Sequence, residues 1–154
     1  MTQVYFYILG GQNITDQWLF ACRLTQKAVR KGNNILLQVD NEQQAKELSD
    51  LLWCHHPEAF IPHSLSGSSQ ANPDNSPGQV CINWHTDPEH QDFPAHQHDV
   101  LINLSGKMPD FFGRFYRFIE VVVQHDDVLD YTRKHYKFLK DRGYPITHED
   151  MRLR

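Results

Sequence analysis

The chain has 154 residues, a formal net charge of −4 and a pI of about 6.2. That size and charge argue for one domain and against nucleic-acid binding through bulk charge. A chain of this length buries about 70% of its unfolded surface and needs no staple. Cys22, Cys54 and Cys81 are odd in number and lack CxxC spacing, the pattern of free thiols in a reducing compartment. No apolar run approaches ~18 residues, and no basic-then-apolar leader opens the chain, so a soluble cytoplasmic protein is expected.

VYFYIL, Val4 to Leu9, reads as a β-rich strand and is followed by Gly10-Gly11. Thr15 or Asp16 can cap a helix to about Lys31, and Gly32 stands where a helix C′ glycine belongs. ILLQV, Ile35 to Val39, is a continuous apolar strand of the kind buried on both faces. Asn41 to Trp53 reads as a helix, with Ala45, Leu48, Leu51 and Leu52 on one stripe. Trp53 falls outside that stripe, so its indole is covered either by the next segment or by another protein. The next segment brings Phe60, Ile61 and Pro62, a composition that suits a small apolar recognition patch.

Ser64 to Gly78 reads as loop. Val80 to Trp84 is a strand, His85 to His98 a polar loop, and Val100 to Leu104 another buried strand. Met108 to Tyr116 is aromatic and turn-like, and Arg117 to Val123 is a strand. Asp126 or Asp127 caps a last helix to about Arg142, which Gly143 ends. Strands alternating with helices predict a three-layer α/β/α domain over residues 1–154, with a mostly parallel, Rossmann-like sheet. No repeat or linker divides the chain.

Catalytic and metal signatures are weak. Gly10-Gly11 lacks both GxGxxG and GxxxxGK[ST] and reads as a plain turn. The histidines of the 85–98 loop, and His55-His56, show no ordered ligand spacing, so no metal and no cofactor is expected. Glu120 and Asp99 lie near strand ends without a feature that singles them out for acid–base work. The last helix is more informative. Leu129, Arg133, Tyr136, Lys137 and Lys140 fall on one basic face, while Val128, His135 and Leu139 point to another side and can pack on a sheet. A guanidinium, lysines and an aromatic wall suit an acidic peptide with a hydrophobic end group. A solvated basic face near a helix C-terminus has the same composition.

Together these segments resemble the chi subunit family of bacterial DNA polymerase III holoenzyme. The resemblance rests on VYFYIL, on LLW…PEAFIPHSL from Leu51 to Leu65, on VCINW, on DVLINL from Asp99, on FIEVV from Phe118 and on RKHYK…RGY from Arg133. It implies a non-catalytic accessory subunit of the clamp loader. It implies psi-subunit binding at Trp53, Phe60 and Pro62. It implies binding of the acidic, phenylalanine-ended tail of single-stranded DNA-binding protein at Arg133, Tyr136 and Lys137. Leu129 and Lys140 flank those three on the same helical face. Leu129 stands where the family leads one to expect a lysine, which weakens charge attraction or replaces it with apolar contact. The turn after Val123 is shorter than expected. Such a protein couples the clamp loader to coated single-stranded DNA and touches little DNA itself. A repair helicase is a possible competitor for the same patch. The rival reading is a small α/β nucleotide-binding enzyme with a site at the strand C-termini. A third reading uses the Arg133 face to bind nucleic acid directly.

Overall fold

The computed structural model describes residues 2–55, 63–65, 80–84, 99–109 and 111–152, with backbone alone at 53–55 and 63–65. Seven strands are present among them: β1 (Gln3–Ile8), β2 (Ile35–Gln38), β3 (His63–Leu65), β4 (Val80–Asn83), β5 (Val100–Asn103), β6 (Arg117–Val122) and β7 (Ile146–Asp150). They form one sheet in the order β3-β4-β2-β5-β6-β1-β7, and every pairing is parallel. Three α-helices, α1 (Ile14–Arg30), α2 (Glu42–His55) and α3 (Asp126–Asp141), and a short 3-10 helix at Phe112–Arg114 complete the described fold.

The strand interiors separate two cores by simple alternation. Ile35, Leu37, Ile82 and Ile102 face α1 and α2, whose Ala21, Cys22, Ala45 and Leu48 are buried against them. Leu36, Cys81, Leu101 and Phe118 face the opposite way, towards Leu139 of α3 and the aromatic cluster Phe111, Phe112 and Phe115. Helices therefore cover both faces, which is why β2, β4 and β5 read as unbroken apolar runs. Cys22 and Cys81 are buried, and burial pushes the Cys22 thiol up to about 12. Cys54 lies outside the described side chains.

One step along the strands on the α3 side, the apolar rows give way to a polar one. Asn83, Gln38, Asn103 and Glu120 lie in register on β4, β2, β5 and β6, and all four are buried. Asn83 Nδ2 donates to Gln38 Oε1 at 2.8 Å, and Asn103 Nδ2 donates to Glu120 Oε1 at 3.0 Å. Buried amides and carboxyls are tolerated when bonded in this way.

The structure corrects several boundaries. α1 begins at Ile14 with Asn13 as N-cap, ahead of the expected Thr15 or Asp16. α3 is capped by His125, whose Nδ1 accepts the Asp127 N–H at 3.2 Å, so both aspartates lie inside the first turn. Aspartates there still favour the positive end of the helix dipole. Ser64 and Leu65, read as loop, pair with β4 as part of β3. β7 went unread in the sequence. Gly32 and Gly143 end α1 and α3 as expected, at φ of 81° and 78°, values that side chains rarely adopt. No helix among the described residues is long and apolar enough to cross a membrane.

Candidate functional site

α3 lies over the α3-side face of β6, β1 and β7 and leaves a cleft of about 330 Å³ along its exposed flank. Phe6 and Ile8 of β1 and Val122 of β6 line its sheet side. Leu129, Thr132, Arg133 and Tyr136 come from α3, and His148 comes from β7. Three rings meet in it: Phe6 stacks on His148 at 5.9 Å, Tyr136 tilts against Phe6 at 5.8 Å, and Tyr136 lies 5.5 Å from His148. Phe6 is 2% exposed, so it is the floor, and Tyr136 and His148 are walls.

The cleft is apolar within and charged at its mouth. Arg133 is exposed and has no carboxylate partner among the described residues. Arg152 also lines the cleft but is held by Asp150, with Nε to Oδ1 at 2.9 Å and a terminal nitrogen to Oδ2 at 2.7 Å. Gln124 is committed to the Leu9 carbonyl at 3.0 Å. The Thr132 hydroxyl is buried with no hydrogen-bond partner among the described residues. An orphan hydroxyl beside an unpaired guanidinium, over an aromatic floor, is chemistry suited to a carboxylate joined to an apolar group.

Sequence spacing placed Leu129, Arg133 and Tyr136 together, and all three line this cleft. Lys137 and Lys140 do not line it. Both are exposed, and Lys140 Nζ sits 5.7 Å from the Tyr136 ring centre, on the outer side of that wall. Phe6, Thr132 and His148 were missed. Alternation of Ile146, His148 and Asp150 was the only available hint of β7. Trp53 lies on the α2 backbone, but its side chain falls outside what the structure describes, as do Phe60 and Pro62. The histidines of the 85–98 loop are outside it too. Among the described residues no group of three or more His, Cys, Asp or Glu could hold a metal.

The opposite flank of α3 is fixed to the sheet. Val128, His135 and Leu139 are buried there, as the helical spacing predicts. His135 Nδ1 meets Glu120 Oε1 at 2.5 Å, and Nε2 lies 3.2 Å from the Gly106 carbonyl. Burial pushes the Glu120 carboxyl up, against hydrogen bonds from His135 and Asn103 that work to lower it. Burial alone would lower His135, but the Glu120 bond, its charge and the Gly106 carbonyl outweigh it, so the imidazole is raised. The Tyr131 ring packs 5.3 Å from His135, and its hydroxyl accepts from Gln17 Nε2 at 2.8 Å. This network ties α3 to β5, β6 and α1.

The Gly10-Gly11 turn is occupied by the chain itself. Gly11 O accepts from Gln124 N at 2.8 Å, and the Asp16 carboxylate lies against Gly11 and accepts the Asn13 N–H at 3.4 Å. A carboxylate already stands at the N-terminus of α1, where a phosphate would otherwise be favoured.

The family profile described as "DNA polymerase III chi subunit, HolC" matches residues 1–147. The chain belongs to the DNA polymerase III chi subunit family. The chi subunit of Pseudomonas aeruginosa is 34% identical over 153 residues, covering 99% of this chain and 98% of that one. The chi subunit of Haemophilus influenzae is 31% identical and covers 95% of each chain. That of Escherichia coli is 26% identical, covering 95% of this chain and 96% of the other. The family places this chain in DNA replication. The crystal structure of T4 UvsW superposes with a TM-score of 0.70 over 99% of this chain at 8% identity. This chain spans 42% of the UvsW chain, so that likeness concerns the fold alone.

Proposed function

We propose that this chi-family chain is a non-catalytic adaptor. Its α3 cleft takes the acidic, phenylalanine-ended C-terminal tail of single-stranded DNA-binding protein. A second patch at Trp53, Phe60 and Pro62 takes the psi subunit of the clamp loader. The observation that carries the first assignment is the exposed, unpaired Arg133 at the mouth of a cleft floored by Phe6 and walled by Tyr136 and His148. The guanidinium grips the terminal carboxylate, the three rings receive the phenylalanine, and the Thr132 hydroxyl offers a further donor. Leu129 adds apolar contact where a lysine was expected. Lys137 and Lys140 attract upstream acids from outside the cleft. Support for the psi patch is the position of Trp53 off the apolar stripe of α2, together with family membership.

The nucleotide-enzyme reading has less support, because Asp16 occupies the turn where phosphate would bind. The deciding experiment is calorimetry with a short acidic peptide ending in a free-carboxylate phenylalanine. Arg133→Ala is expected to lose about 2–5 kcal/mol of binding. Arg133→Lys is expected to bind poorly too, since an ammonium cannot reproduce the bidentate fork. Unchanged affinity in Arg133→Ala would move the site elsewhere.

A further inference from the structure

The net charge of −4 conceals an asymmetry between the two faces of the sheet. From Gln17 to Val39 the chain carries no aspartate or glutamate, yet it holds Arg23, Lys27, Arg30 and Lys31. All four are exposed. Their i, i+4, i+7, i+8 spacing puts them on one side of α1 and its C-cap. The helix dipole favours cations in the last turn, but it does not account for Arg23 two turns earlier. Nor does it account for Arg117, which reaches the same region from the start of β6. Among the described residues none of these five cations forms an ion pair.

Lys27, Lys31 and Arg117 rim a second cleft, of about 160 Å³, between the end of α1 and the first residues of β5 and β6. Its floor is apolar, with Ile102 and Ile119, and one wall is Tyr7. The Tyr7 ring is itself backed by Phe20 at 5.4 Å. Asn33 contributes an amide at the edge. Two carboxylates border the region. Asp99 accepts the Asn34 N–H at 2.8 Å, and Glu149 lies beyond Tyr7 in register on β7. This cleft is on the α1 side of the sheet, whereas the Arg133 cleft is on the α3 side.

We propose that the cleft between α1 and the start of β6 binds single-stranded nucleic acid. A cleft of about 160 Å³ with an apolar floor and a tyrosine wall accepts an unstacked base, and the cations on its rim accept the backbone on either side. Arg23, Lys27 and Lys31 rise along α1 at intervals of about 6 Å, a spacing an extended sugar–phosphate chain can follow. An acidic peptide would use the cations but would leave the apolar cleft unfilled. A duplex keeps its bases stacked and could engage only the rim. The site departs from the expectation, implied by the family resemblance, that the chain touches little DNA. It is independent of the Arg133 cleft.

The test is fluorescence anisotropy of a labelled oligothymidylate with the full chain alone at low salt. Saturable binding is expected, with log affinity falling against log salt at a slope of about −2 for three cations on a single strand. Lys27→Ala/Lys31→Ala/Arg117→Ala should weaken binding at least tenfold at an unchanged melting temperature. The charge-keeping Lys27→Arg/Lys31→Arg/Arg117→Lys should retain it. Absence of binding by the natural chain, or equal binding by the alanine triple variant, overturns the proposal. So does displacement of the strand by poly-glutamate as readily as by unlabelled oligothymidylate, which would give the patch to an acidic protein segment.

Discussion

Glu120 and His135 share one short hydrogen bond beneath α3, at 2.5 Å from Oε1 to Nδ1, and the second carboxylate oxygen of Glu120 has no partner among the described residues. Glu120 is fully buried and His135 is 5% exposed. His135 lies six positions after Leu129 on α3, and the two occupy different flanks, one fixed to the sheet and one open to the cleft. The pair therefore sets where the cleft wall stands.

Removing one partner should be costly. His135→Ala leaves a buried carboxyl without its counter-charge and is expected to lose about 3–5 kcal/mol in chemical denaturation. Because both groups are raised in the fold, the folded pair keeps a proton that the unfolded chain releases. The sign is thus a stability contribution present in full below the ordinary imidazole value of 6.5 and lost as pH rises through the raised value of folded His135. Denaturation midpoints should fall as pH rises above 6.5 in the natural chain. In Glu120→Gln that component should vanish, and a persisting slope would assign it to other groups.

Thr132→Val separates the free protein from its complex. The substitution removes a buried hydroxyl that has no partner among the described residues, which relieves a penalty of about 1–3 kcal/mol. The melting temperature should hold or rise while affinity for the acidic peptide falls. If both fall together, the hydroxyl is bonded in the free protein.

His148→Ala should weaken the same peptide by about 0.5–1.5 kcal/mol through loss of one aromatic wall. Calorimetry against a peptide ending in alanine checks this. The deficit should disappear there if the ring contacts the terminal phenylalanine.

Lys137→Ala and Lys140→Ala should act mainly through salt dependence. Both residues are exposed and lie outside the cleft, where attraction to upstream acids is screened. Affinity losses should be visible at low ionic strength and shrink at high salt, in contrast to Arg133→Ala.

Trp53→Ala should abolish binding of a psi-like partner with little change in thermal stability. Were the indole part of the core instead, truncation would cost about 3–5 kcal/mol, a difference that one melting curve resolves.

Strands with strong periodic or continuous apolar character were legible without coordinates. Ile35 to Gln38 and Val100 to Asn103 are buried throughout, so their composition had one sensible reading. β7 was not legible, because Ile146–Asp150 contains a single aliphatic residue and two acids. What makes it a strand is pairing with β1, sealed by Val4 N to Pro145 O at 3.0 Å and Met151 N to Ile8 O at 2.8 Å. The cleft shares that history. Leu129, Arg133 and Tyr136 follow from helical spacing alone, whereas Phe6 and His148 require the order β6-β1-β7. Likewise His135 was expected on the packing flank and Glu120 near a strand end, but only the register of the sheet brings them together.

The order β6-β1-β7 also bears on how an unfinished chain fares. β1 precedes the other described strands in the chain, yet its hydrogen-bonded neighbours begin at Arg117 and Ile146. Until Arg117–Val122 has been made, the aromatic segment Val4–Ile8 has both edges open. Such open edges invite pairing with another chain. A product cut short after α3 would still own most of its core but would expose one side of β1 and lack His148. It would be a preferred target for proteolysis or aggregation, and an incomplete competitor for the tail peptide.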